Sequence, residues 1–175
     1  GMNQVMIKKI KDLKWLLFYL PKLYKKYKNK TDCNLFYVLV KFIYYKLVHN
    51  KHITAHSKVK INGIENIDLK GSLEIGVNRF GILLNTDQTF INVRGKLKIN
   101  SSHYAIGRGC RIDIGENAIV EIGEKGHITA FTNMIISNKL IIGGDCAISW
   151  NCQFLDDDNQ EIFYTDKKQK KNGII

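Results

Sequence analysis

The sequence predicts a mainly β protein, a hexapeptide-repeat parallel β-helix preceded by an α-helical segment. Three features of the 175-residue chain carry that expectation. Apolar residues return every six positions, as Ile106 and Ile112, Ile114 and Val120, then Ile122, Ile128 and Met134, then Ile142, Ile148 and Phe154. Small residues stand four positions after an apolar one, at Cys110, Ala118, Gly126, Thr132, Cys146 and Cys152. Lysine and aromatic residues concentrate in the first fifty positions.

A helix repeats its buried face at about 3.6 residues and a half-buried strand at about 2, so a period of six needs another geometry. Six residues suit one short strand and one tight turn. Three such units close a coil of about eighteen residues, and stacked coils lay each apolar residue over its equivalent in the next. The small position then reads as an inward corner. Gly107, Gly115, Gly123 and Gly143 directly follow apolar residues, where a turn needs positive φ or a close backbone approach. The phase slips between 112 and 114, 120 and 122, and 134 and 142 read as altered corners and one looped-out excursion near Asn138. Upstream, the pattern continues through Ile61, Ile67 and Leu73 and again through Ile91 and Leu97, while residues 76–88 do not scan and read as a loop or distorted coil. The expected organisation is a basic amphipathic helical segment at 1–56, the β-helix at 57–162 and a polar tail at 163–175.

Charge is unevenly spread. Residues 1–50 hold eleven lysines against Asp12 and Asp32, a net of +9 out of the chain's +11. The same segment carries Trp15, Phe18, Tyr19, Tyr24, Tyr27, Phe36, Tyr37, Phe42, Tyr44 and Tyr45. Ile10, Leu13, Leu17, Leu20, Tyr24 and Tyr27 follow spacings of three and four, the signature of an amphipathic helix. Pro21 is expected to split it in two, sitting in the first turn of the second helix. A third helix, at about 34–49, is apolar nearly all round apart from Lys41 and Lys46. Three uses of the segment stay open: a cap on the exposed end of the β-helix, a peripheral contact with the cytoplasmic membrane face, and nucleic acid. The last is the least favoured, because the segment has no arginine and no binding motif. No apolar run reaches the length of a membrane span.

Three of the four cysteines fall on the small corner position, which reads them as buried thiols in a reducing cytoplasm. The apolar run at 15–20 lacks a small-residue cleavage site, so no cleavable signal peptide is expected. The expected location is cytoplasmic.

The regular pattern stops in a cluster of acidic side chains at 156–161. The run at 142–158, Ile-Gly-Gly-Asp-Cys-Ala-Ile-Ser-Trp-Asn-Cys-Gln-Phe-Leu-Asp-Asp-Asp, resembles the bacterial hexapeptide-repeat O-acetyltransferases that modify surface polysaccharides. The basic N-terminal segment suits the capsule-associated branch. The resemblance covers about residues 57–175 and implies left-handed winding, acetyl-CoA as co-substrate, a sugar acceptor and a homotrimer whose sites lie between neighbouring subunits. In that family the run continues Asp-x-Asp-x-His. Asp156 and Asp158 match the two aspartates, Gln160 stands at the histidine position, and Trp150 and Asn151 fall around the acceptor site. The family's histidine takes the proton from the attacking sugar hydroxyl. A glutamine amide cannot take a proton at neutral pH, although it can hold a hydroxyl or a carbonyl oxygen.

All five histidines, at 49, 52, 56, 103 and 127, precede the loop, and His103 or His127 could reach a site from another subunit. The zinc-dependent carbonic anhydrases of this fold use three histidines. Two solenoid histidines do not meet that demand, so no metal is expected. The lysine-rich stretch after Tyr164 resembles the loop that, in this family, leads into later coils that help bind coenzyme A. Two readings remain: an acetyl-CoA-dependent sugar O-acetyltransferase, or a non-catalytic trimeric scaffold or sugar-binding module associated with the membrane.

Overall fold

The computed structural model describes residues 2–30, 32–78 and 81–157, with Met2 described by its backbone alone. Among the described residues two helices, α1 (Met2–Tyr27) and α2 (Leu35–His49), precede fourteen short strands. The strands are β1 (His52–Ala55), β2 (Val59–Asn62), β3 (Ile67–Leu69), β4 (Ser72–Ile75), β5 (Thr89–Val93), β6 (Lys96–Ile99) and β7 (His103–Ile106). They continue as β8 (Arg111–Ile114), β9 (Ile119–Ile122), β10 (Gly126–Ile128), β11 (Asn133–Ile136), β12 (Lys139–Ile142), β13 (Cys146–Ile148) and β14 (Gln153–Leu155). Every third strand pairs in parallel, giving sheet A (β1-β4-β7-β10-β13), sheet B (β2-β5-β8-β11-β14) and sheet C (β3-β6-β9-β12). The result is a β-solenoid of about five turns, mainly β as expected, with the two helices in front.

The six-residue period arises because a strand of about four residues and a short corner make one side of each coil. Four-residue strands such as β8 and β9 turn two residues inward at i and i+2, so Ile112 and Ile114 share β8, and Val120 and Ile122 share β9. Those two apparent phase slips are the ordinary alternation of a strand and not altered turns. No excursion occurs near Asn138 either: only Ser137 and Asn138 separate β11 from β12, and Leu140 fills the inward place six after Met134. Columns such as Ile61, Ile91, Ile112, Met134 and Phe154 run through the interior. Burying each such side chain contributes about 1.5–3 kcal/mol.

Coils are longer than eighteen residues. Ile128 stands beside Ile148 twenty positions later, and Leu97 beside Val120 twenty-three later. Several corners hold four residues, as at 115–118. Close approach decides one of the repeat's glycines: a Cβ on Gly107 would lie 2.5 Å from the amide nitrogen of Ala130 in the next coil. The described residues of 76–88 carry no strand, and the segment enlarges the second coil, so that Leu73 pairs with Tyr104 thirty-one positions on.

The solenoid starts earlier than expected, at His52, so β1 falls inside the segment read as helical. Its downstream limit at 162 and the tail at 163–175 lie outside the described residues. α2 packs on β1, and its Tyr45 joins the core of the coils, closing that end. Asn34 caps α2 by accepting the Tyr37 amide, and Asn50 ends it in the left-handed conformation.

α1 is one helix of 26 residues, and Pro21 lies within it. A helix-internal proline costs about 3 kcal/mol. Leu16 before it and Leu23 and Tyr27 after it share one buried cluster with Val38 and Phe42, so packing holds both halves on one line. The buried face also differs from the expected one. Leu20 and Tyr27 of the expected stripe do pack into the cluster with α2, but Ile10, Leu13, Leu17 and Tyr24 are exposed, and Trp15, Leu16, Tyr19 and Leu23 take their place.

Candidate functional site

The residues singled out around the acidic run are dispersed by the coil. Trp150 is half-buried and Asn151 exposed, at the corner between sheets A and B. Asn151 has φ +53 there, at the same corner where Phe131 has φ +62 and Gly109 φ +82, and its amide donates to the Ala130 carbonyl. Asparagine tolerates this left-handed conformation, so the backbone accounts for the residue type. Asp156 lies at the next corner, between sheets B and C, and is 4% exposed. Its carboxylate accepts the backbone amides of Ser137 at 2.7 Å, Asn138 at 2.5 Å and Lys139 at 3.0 Å. In this structure Asp156 holds the corner of the coil beneath it. Asp158 and Gln160 lie outside the described residues.

A different cluster forms on the outer face of sheet A. In β4 and β7, Leu73, Ile75, Tyr104 and Ile106 point into the core, so Ser72, Glu74, His103 and Ala105 point out. Parallel register sets Ser72 beside His103 and Glu74 beside Ala105. Ser72 Oγ lies 2.8 Å from His103 Nδ1, and His103 Nε2 lies 3.9 Å from Glu74 Oε2. A hydroxyl that donates to Nδ1 leaves the ring proton on Nε2, facing the carboxylate. The imidazole is half open to solvent, at 53%.

Glu74 is an outward-facing strand residue, yet its side chain is 9% exposed because the last turns of α1 lie over it. Lys26 Nζ and the Tyr27 hydroxyl both donate to Oε1, the latter at 2.9 Å, and Asn78 donates to Oε2 at 3.4 Å. Burial raises the carboxyl's pKa, but the hydrogen bonds from Lys26 and Tyr27 and the charges of Lys26 and His103 outweigh it, leaving the group below its usual range. Burial, then the charge and hydrogen bond of Glu74, push the Tyr27 phenol far up, so it remains a donor. On β1, His52 is enclosed by the rings of Trp15, Tyr19 and Phe42, and burial lowers its pKa. His127 is exposed on β10, one strand beyond His103.

The sequence offers His103 without its partners. Ser72 and Glu74 alternate with core residues on one strand, a pattern any solvated strand shows, and their meeting with His103 depends on the enlarged second coil. His103 and Trp150 stand at opposite ends of the strands of sheet A and two strands apart, a separation of roughly 15–20 Å. One subunit does not unite them.

A polar cleft of about 690 Å³ lies elsewhere, between the start of α2 and residues 85–86. Its ionisable groups serve the fold: Asp32 is paired with Arg108, and His56 joins the Asp32 carbonyl and the Lys58 amide. Among the described residues no group of three His, Cys, Asp or Glu is placed to hold a metal ion, and no helix is long and apolar enough to cross a membrane. The four thiols are free, and burial pushes that of Cys110 up to about 11.

Comparison with known proteins finds a relative from Klebsiella pneumoniae described as an uncharacterized 24.8 kDa protein in the cps region. It is 29% identical over 148 residues, which cover 83% of this chain and 66% of that protein. The chain therefore matches slightly less than two thirds of its relative. No family model matches, and no solved structure matches. The β-solenoid and this distant homologue from a capsule region fit a hexapeptide-repeat family in general.

Proposed function

We propose that the protein is an acyltransferase that moves an acetyl group from acetyl-CoA to a sugar hydroxyl of a cell-surface polysaccharide or its precursor, working as a homotrimer. One observation carries the reading: a solvent-open imidazole, His103, held between the Ser72 hydroxyl and the buried Glu74 carboxylate on the face of a hexapeptide-type solenoid. The relative's capsule-region origin supports the substrate class. The acceptor hydroxyl loses its proton to His103 Nδ1 as its oxygen attacks the thioester carbon; the carbon–sulfur bond then breaks and the thiolate leaves, to be protonated. Ser72 can turn toward the Ser102 carbonyl, 3.5 Å away, and expose Nδ1. Glu74 keeps the ring proton on Nε2 and stabilises the imidazolium. Trp150, Asn151, Asp158 and Gln160 belong to acceptor binding contributed across a subunit boundary.

The test is thiol release from acetyl-CoA in the presence of capsular oligosaccharide. His103→Ala is expected to lower turnover by about 10²- to 10⁴-fold, the range of general-base catalysis. Turnover unchanged in that variant refutes the assignment. A second reading, a non-catalytic scaffold or sugar-binding module, is favoured by Asp156 being committed to three amides and by Gln160 being unable to take a proton. It predicts glycan binding with no thiol release from the wild-type protein.

A further inference from the structure

The helical pair leaves two apolar faces uncovered. On α1, the stripe of Met6, Ile10, Leu13, Leu17 and Tyr24 repeats at helical spacing and is 45–73% exposed. It adjoins the buried face and is not the same face. Residues 3–10 are all exposed, so the first turns of α1 rest on nothing among the described residues. On α2, Phe36 is 70%, Val40 46%, Tyr44 50% and Leu47 45% exposed. No charge interrupts that face, because both lysines of α2 are drawn away from it. Lys41 Nζ donates to the carbonyls of His56, Ser57 and Val59, and Lys46 is held by Asp12 and Asn50.

The charges beside these faces have one sign. Lys8, Lys9, Lys11, Lys14, Lys22 and Lys25 are exposed along α1 and Lys28 just after it, and the one acidic residue of α1, Asp12, is paired with Lys46. Two copies meeting through this surface would bring those lysines together, which opposes self-association. Nucleic acid would satisfy the lysines and leave the apolar faces wet. An anionic lipid surface takes both, with lysines at the headgroups and Leu, Phe and Tyr side chains at the acyl boundary.

We propose that α1 and α2 form a docking surface for an anionic membrane, which the helices enter from one side without crossing, so that the solenoid is carried at the bilayer surface. This is independent of the reaction assigned to His103. The experiment is co-sedimentation of the full chain with vesicles of phosphatidylglycerol and phosphatidylethanolamine, against phosphatidylcholine alone, for the wild type and for Leu17→Glu and Phe36→Ser. Both substituted side chains are solvent-exposed, so melting temperature should hold within a few degrees. The expected result is binding to the anionic vesicles, weakened but not lost as salt rises, and a partition coefficient roughly tenfold lower in each variant, the loss of one large apolar side chain from the interface. Equal binding by wild type and both variants overturns the proposal, as does no preference for anionic over neutral lipid. Concentration-dependent dimers that disappear in Leu17→Glu, or tighter binding to duplex DNA than to vesicles, also overturn it and assign the surface elsewhere.

Discussion

Arg108→Ala tests how the helical segment is fastened to the solenoid. Arg108 occupies the corner between β7 and β8, and its side chain is 0% exposed. Its guanidinium donates from Nε to the Gly76 carbonyl at 2.9 Å and from one terminal nitrogen to the Leu84 carbonyl at 3.0 Å. The other terminal nitrogen pairs with Asp32 Oδ2 at 3.0 Å, across 76 positions of sequence. One side chain therefore ties together a coil corner, the strand-free insertion and the connection between α1 and α2. Removing one partner of a buried ion pair costs about 3–5 kcal/mol, because the remaining charge and the two carbonyls lose their compensation. For a domain of this size that is a fall in melting temperature of roughly 6–20 °C. Calorimetry or thermal circular dichroism measures it, and hydrogen exchange should show the 28–34 segment opening first. Arg108→Lys keeps the charge but gathers its donors on one nitrogen, without the planar fork that reaches three separated acceptors, and should fall between. In a double-mutant cycle, Asp32→Asn combined with Arg108→Ala should cost less than the sum of the two. A change within about 0.5 kcal/mol for Arg108→Ala, or strict additivity with Asp32→Asn, would refute the reasoning.

Other consequences are equally open to measurement. Asp156→Ala removes the acceptor of three amides and should cost about 3 kcal/mol in urea unfolding; an activity loss with stability intact would instead mark a reacting carboxylate. The Tyr104 hydroxyl is buried with no hydrogen-bond partner among the described residues, so Tyr104→Phe should be neutral or stabilise by about 1 kcal/mol, and a loss above that would mean the hydroxyl is satisfied. His52 and His56 are held below their ordinary 6.5, chiefly by burial, so the unfolded chain binds protons that the folded one refuses. Stability should be flat from about pH 6.5 to the onset of Cys110 ionisation in the unfolded chain near 9, and fall as pH drops below 6.5, with Glu74 adding to the loss below its ordinary 4.5; a melting temperature that rises on acidification from 6.5 would contradict both shifts.

Much of the solenoid was legible because its physics is local and repeated. Ile112, Ile128 and Met134 announce inward core positions by spacing alone, and all three are at most 3% exposed. The coil length was not legible from that spacing: a period of six fixes strand plus short corner, whereas the four-residue corner at 115–118 is set by how successive coils meet. α1 shows the opposite case, an apolar surface wide enough to offer two faces. Its sequence favours the stripe through Leu13 and Leu17, and burial falls on Leu16 and Leu23 because those meet Val38 and Phe42.

The candidate site divides in the same way. A resemblance placed attention on the acidic run, where contiguity in sequence suggested contiguity in space, yet Asn151 and Asp156 stand at different corners and Asp156 serves the coil below. By itself the sequence determined the parallel repeat, the inward columns and the basic aromatic character of the first fifty residues, since each follows from side-chain spacing or composition. Only the tertiary structure decided that Ser72, Glu74, His103 and Lys26 meet, that Arg108 clasps Asp32, and which face of α1 remains outside. Those contacts join residues 29 to 76 positions apart, and their geometry depends on coil register and helix docking, which no local pattern encodes.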